Sequence, residues 1–288
     1  MLCATFLLFP SFPSNQKSGN PLLLILLASP APQAWAHPQC FGRLLATFSA
    51  YETKIHLWQL EHGCVLTFQR SLPGGNRGVR DLSFAPVDQG PWLAAACADG
   101  IVRTYSPFDP VDHSTWEAGT RLPAAPPHGC CHSVTWAEPS TLQAPLLAVI
   151  TTDQNGSRYA AHVFAHSRSF LRWISWCTLA EEVERPLQFV AFASNTSNAS
   201  YERAAIGVGN QVYIMRLSED AKEVAMADDE NKASVQEIAR IELEDEVEDA
   251  SWSHDSMKLA VRTMCGSVAV YTQSLLDESE WRKVQSIA

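Results

Sequence analysis

The stretch "WLAAACADGIVRTY", from Trp92 to Tyr105, decides the fold. A small-residue apolar run meets Asp99-Gly100, and a second β-prone run follows. Asp-Gly between two such runs is a strong short hairpin signal, because turn positions with φ > 0 favour these residues. "WLAAAC" is then one strand and "IVRTY" its antiparallel partner. A lone hairpin is marginal in water, so the stretch needs neighbours.

The chain supplies them as copies. Comparable segments occupy Trp35–Leu60, Val79–Pro107, His132–His166, Pro186–Leu217 and Val247–Gln273. Each has an aromatic just before a turn: Trp35, Phe84, Trp136, Phe192 and Trp252. Each continues into a strand of small residues marked by Ala46, Ala94, Ala148, Ala205 and Ala260, at spacings of 48, 54, 57 and 55 residues. A third, alternating strand ends at Trp58, Tyr105, Phe164, Met215 or Tyr271. Units of this period with three or four short strands predict an all-β protein, a β-propeller of about five recognisable blades. The competing all-β reading is a sandwich with coincidental spacing.

Composition agrees with a packed domain. A chain of 288 residues, 46% hydrophobic and 18% charged, can bury roughly 75% of its unfolded surface. The formal net charge is −10. The 13 acidic and 3 basic residues between Glu219 and Asp249 account for all of it. The rest of the chain balances and leaves no basic field for nucleic acid. The expected division is a leader over 1–33 and a propeller domain over 34–288, with an acidic, solvated loop at about 218–235. The residues after that loop are expected to enter the next unit as strand. The proline-rich segment Pro107–Pro127 is expected to be a surface linker. The apolar run in "PLLLILLASPAPQAWA" is too short for a membrane span. It also reads as a secretory signal, although its small-residue site falls inside "AWAHP", which matches "TWAEP" of the third repeat.

Catalytic signals are weak. "HGCCH", His128–His132, is one cluster where zinc sites usually draw on two. The eight cysteines form no CxxC pair. Cys97 and Cys265 lie in apolar runs and read as small hydrophobes, and the alternative for an even count is disulfides in a secreted protein. No nucleophile elbow and no phosphate loop occurs. Gly207 and Gly209 suggest a hairpin turn with Asn210 rather than a dinucleotide loop. No catalytic, metal or cofactor residue is assigned; an enzymatic or ligand-binding propeller stays as an alternative.

The repeat carrying the opening stretch, "VRDLSFAPVDQGPWLAAACADGIVRTYSPFDPVDHSTWE", resembles the second blade of the SEH-type WD-repeat nucleoporins. "AWAHPQCFGRLLATFS", "CCHSVTWAEPS" and "VEDASWSHDSMKLAVRTMCGSVAVYTQ" resemble their preceding, middle and last blades. The sister family, the SEC-type subunit of the COPII coat, is less similar in the middle blade, where this chain has "TTDQNGSRYAAHVF". The repeats lack the usual Trp-Asp endings. Family members make six blades in an open ring, and the piece without a counterpart here is the first.

The resemblance implies a structural scaffold subunit of the outer-ring Y-complex of the nuclear pore at the nuclear envelope, supporting protein and mRNA transport. It implies an α-solenoid nucleoporin that completes the propeller by main-chain pairing, other Y-complex members, and no cofactor. It also implies a second role with SEA/GATOR subunits in TOR signalling, at vacuolar or lysosomal membranes through partners. It assigns no partner-contacting residue.

Overall fold

Each aromatic-ended segment forms the first strand of a four-stranded antiparallel sheet. The computed structural model describes residues 33–36, 44–48, 53–61, 65–109, 115–138, 144–167, 172–194, 201–219 and 233–287. Among these residues twenty strands fall into five sheets, and within each sheet spatial order follows chain order. Blade one holds β1 (Gln33–Trp35), β2 (Leu44–Phe48), β3 (Lys54–Glu61) and β4 (Val65–Pro73). Blade two holds β5 (Val79–Phe84), β6 (Leu93–Cys97), β7 (Ile101–Pro107) and β8 (Trp116–Pro123). Blade three holds β9 (Cys130–Trp136), β10 (Leu146–Thr152), β11 (Tyr159–Ser167) and β12 (Arg172–Val183). Blade four holds β13 (Leu187–Phe192), β14 (Tyr201–Val208), β15 (Gln211–Glu219) and β16 (Ala233–Glu242). Blade five holds β17 (Val247–Trp252), β18 (Lys258–Thr263), β19 (Val268–Gln273) and β20 (Trp281–Ile287).

The register repeats from blade to blade. The residue after each aromatic (Ala36, Ala85, Ala137, Ala193 or Ser253) donates its N–H to a carbonyl near the start of the second strand, at 2.8–3.0 Å. The residue before each aromatic pairs with the alanine mark: Ala34 with Ala46, Ser83 with Ala94, Thr135 with Ala148, Ala191 with Ala205, Ser251 with Ala260. Since cross-strand partners share a face and neighbours alternate, every alanine points forward, toward the next blade. Every aromatic points backward.

Four hydrophobic cores join the blades. One lies between blades one and two, around Ala46, Leu57, Leu82 and Leu93. The next lies between blades two and three, around Ala94, Val134 and Trp136. Blades three and four share Ala148, Ile150, Val190 and Phe192. Blades four and five share Ala205, Ile214, Leu259 and Val261. Among the described residues no such core joins blade five to blade one, so the ring is open there. Burial along the second strands shows the difference on the blade-five side alone, since β2 of blade one is buried throughout, Leu45 and Thr47 of its backward face included. In β10, sandwiched between two blades, all residues are buried. In β18 burial alternates, because only its backward face is covered.

Several expectations need correction. At the opening stretch, Gly100 N–H bonds to the Cys97 carbonyl at 3.1 Å. The turn is therefore centred on Ala98 and Asp99, and only Gly100 has positive φ, at 79°. This is a turn closed by a left-handed glycine, not a two-residue Asp-Gly loop. Pro107–Pro127 is not simply a linker, because it contains β8, the outer strand of blade two. The segment after the acidic loop does not enter the next unit directly. Ala233–Glu242 first pairs with β15 as the outer strand of blade four. Of the expected acidic loop, 220–232 lie outside the described residues, and Ser218 and Glu219 belong to β15. Of the expected leader, 1–32 lie outside them, and Gln33 begins β1.

Candidate interaction edge

The opening is bounded by the backward face of blade one and the forward face of blade five. On blade one, Trp58 pairs across the strands with Leu45 and donates from Nε1 to Thr47 Oγ1 at 2.9 Å. Phe68 packs edge-on against Trp58 with centroids 5.4 Å apart, and His56 lies 6.0 Å from Phe68. His56 Nδ1 is 2.9 Å from Ser71 Oγ. Trp35, paired with Leu45, belongs to the same face. Trp35 is 45% exposed and Phe68 50% exposed, an apolar surface that water covers poorly. The facing side of blade five is milder. Ala260, Val268, Val270 and Thr272 are half-buried, and Arg262 pairs with Glu248 at 3.0 Å. These surfaces are sheet faces, so whatever fills the opening must bring a face of its own.

The closed boundaries show what a completed one contains. Between blades two and three, Trp136 Nε1–H donates to the Ser83 carbonyl at 2.9 Å. Between blades four and five, Trp252 Nε1–H donates to the Ala191 carbonyl at 3.0 Å. Both acceptors sit one residue before the aromatic of the preceding blade. Asp81 adds a second tie between blades two and three, since its Oδ2 accepts from Ser133 Oγ at 2.7 Å and Val134 N–H at 3.0 Å. Burial pushes this carboxyl up, against the pull of those donors.

The residues singled out from sequence are spread one to a blade. Phe84, Trp136, Phe192 and Trp252 each line the boundary behind their own blade, and only Trp35 faces the opening. Asp99 and Gly100 lie at the β6–β7 turn. Asp99 there takes two hydrogen bonds from Arg103, at 2.9 and 2.7 Å. Burial pushes the Asp99 carboxyl up, but Arg103 and the Asn76 and Ile101 N–H groups outweigh it and hold it below the usual range. Asp81 was not singled out, although an aspartate three residues before the aromatic recurs in the last repeat as Asp249. Cys131 is buried, and burial drives its thiol upward. Burial pushes the Cys177 thiol up to about 12. Both are protonated at neutral pH, whereas Cys265, expected in an apolar run, is exposed. Among the described residues no group of three or more His, Cys, Asp or Glu is placed to hold a metal. Nor is any helix among them long and apolar enough to cross a membrane.

No family model matches the chain. Curated relatives do. Nucleoporin SEH1 of Danio rerio is 28% identical over 260 residues, covering 84% of this chain and 68% of that protein. The Homo sapiens protein of the same name is 26% identical over 259 residues, covering 84% and 69%. Nucleoporin SEH1-A of Xenopus laevis is 24% identical over the same spans. The resemblance to SEH-type WD-repeat nucleoporins thus extends over 84% of the chain. Among solved structures, a protein from Lactobacillus plantarum superposes with a TM-score of 0.60 at 12% identity, covering 90% of this chain and 71% of the other. A functionally unknown protein from Desulfotomaculum acetoxidans gives 0.59 at 12% identity, covering 89% and 69%. At that identity the likeness concerns the fold alone.

Proposed function

We propose that this chain is a non-enzymatic scaffold subunit of the nuclear pore, in the outer-ring Y-complex, and that it works by receiving part of a partner into the opening between blades five and one. The observation that carries this is the set of four inter-blade cores around five blades, with none at the fifth boundary among the described residues. Similarity to Nucleoporin SEH1 supports the compartment and the scaffold role. The partner is an α-solenoid nucleoporin whose inserted strands bring a sheet face to the opening. Main-chain pairing then belongs within that inserted sheet, and side-chain packing joins it to the propeller. Burial of the exposed Trp35 and Phe68 supplies the apolar driving force.

The same surface serves a second assembly, with SEA/GATOR subunits at vacuolar or lysosomal membranes, reached through partners. Affinity recovery of the full chain from cells tests this reading. Y-complex members are expected with the native chain and are expected to be lost with Trp35→Glu. Recovery of COPII coat subunits instead would replace the reading with the coat role. Unchanged recovery with Trp35→Glu would remove the opening from it.

A further inference from the structure

The two sides of the opening carry the unpaired halves of contacts that close the boundary between blades two and three and, for the indole, also the one between blades four and five. Blade five repeats the forward side of blade two. "VEDASW" at Val247–Trp252 aligns with "VRDLSF" at Val79–Phe84, which sets Asp249 on Asp81 and Ser251 on Ser83. The local backbone contact is the same: Asp81 Oδ1 accepts the Leu82 N–H at 2.8 Å, and Asp249 Oδ1 accepts the Ala250 N–H at 2.9 Å. Opposite Asp249 stands Arg262, in place of Ala96 opposite Asp81, and its guanidinium is paired with Glu248. In blade two the second oxygen reaches forward to Ser133 and Val134 of blade three. In blade five, among the described residues, no donor meets Asp249 Oδ2. The Ser251 carbonyl, equivalent to those that accept the Trp136 and Trp252 indoles, likewise receives no indole. Ala260 is the one alanine mark left half-exposed, whereas Ala46, Ala94, Ala148 and Ala205 are all within 1% of full burial. On the other side of the opening, Trp35 has the indole, and among the described residues no carbonyl of a preceding blade meets it.

From this match we infer that the strand a partner lays against blade five carries the four-residue pattern that blade three presents to blade two: Ser or Thr, an aliphatic residue, any residue, then Trp. In blade three the pattern is Ser133-Val134-Thr135-Trp136. Its hydroxyl and the following N–H meet Asp249, its ring covers Ala260, and its indole N–H meets the Ser251 carbonyl. At the other side of the inserted sheet, a main-chain carbonyl accepts the Trp35 indole N–H. A strand without these groups leaves a carboxylate covered and unmatched, which is costly in a desolvated interface. The inference rests on the proposed insertion into the opening and adds the chemistry by which the guest is recognised.

The test uses the full chain with a photo-crosslinking amino acid at Lys258, an exposed position on the forward face of blade five opposite Thr272, expressed in cells. Mass spectrometry identifies the peptide joined to it. The partner so found is purified, and its affinity is measured for the native chain, Asp249→Asn and Trp35→Phe. The expected peptide contains [Ser/Thr]-aliphatic-X-Trp. Asp249→Asn is expected to weaken binding about tenfold or more, and Trp35→Phe about fivefold, while the free variants melt as the native chain does. A peptide from another chain lacking the hydroxyl and Trp, or an affinity unmoved by Asp249→Asn, overturns the pattern and leaves the insertion standing. A crosslink to a second copy of the chain or to residues 1–32, or no crosslink at all, overturns both.

Discussion

Trp136 and Trp35 hold the same place in the repeat, and truncating each to alanine separates a closed boundary from an open one. Trp136 is 6% exposed and Trp35 45% exposed. For a ring that buries about 200 Å² when enclosed, that difference is about 80 Å², or about 2 kcal/mol. Trp136 also loses its 2.9 Å bond to the Ser83 carbonyl, about 1 kcal/mol. It further loses edge-on contacts with Trp92 and Trp173, whose centroids are 6.0 and 5.6 Å away. Trp136→Ala should therefore cost about 3 kcal/mol more than Trp35→Ala, whose ring is itself about half buried. Equilibrium urea unfolding of the purified chain, followed by far-UV circular dichroism, reads both. Equal losses for the two variants would refute the assignment of an open boundary in front of blade one.

Three further outcomes follow from single sites. At Gly207 an added Cβ would lie 2.3 Å from the Phe189 ring, so Gly207→Ala should destabilise by about 1–3 kcal/mol and Phe189→Leu should restore part of the loss in the same unfolding assay. The Asp99 carboxyl is held below its ordinary value of 3.8, so its stabilising effect is present above that pH and is lost as pH falls through the lowered folded value. Asp99→Asn should accordingly lower stability at pH 7 and flatten the acid limb of stability against pH, and an acid limb identical to the native one would contradict the Arg103 pairing. Val270→Arg, on a half-buried position beside the opening, should change free-chain stability by no more than about 0.5 kcal/mol yet abolish partner recovery from cells.

The inner three strands of each blade were legible because they are buried in a repeating way. An aromatic facing back and an alanine facing forward recur wherever one blade packs on the next. The outer strands were not legible, because they line the perimeter. In β8 only Trp116 and Leu122 are buried, at its two ends, and in β20 nearly every residue is exposed. Such strands have no hydrophobic alternation to read, and β8 and β16 therefore looked like linker and loop continuation. The turn at Asp99 misled for a different reason. Aspartate before glycine suits a two-residue hairpin, but here its carboxylate is engaged by Arg103 while Gly100 alone takes the left-handed position. The carboxylate tie at Asp81 was visible only as a recurrence three residues ahead of an aromatic. Its meaning depends on which face it occupies, and that requires the register.

Hydroxyl-radical footprinting of the isolated chain, read residue by residue, measures the opening most directly. Trp35, Phe68 and Val270 should be oxidised while Trp136 stays protected, and those three should become protected once the partner is bound. Protection of Trp35 equal to that of Trp136 in the isolated chain would contradict the open boundary.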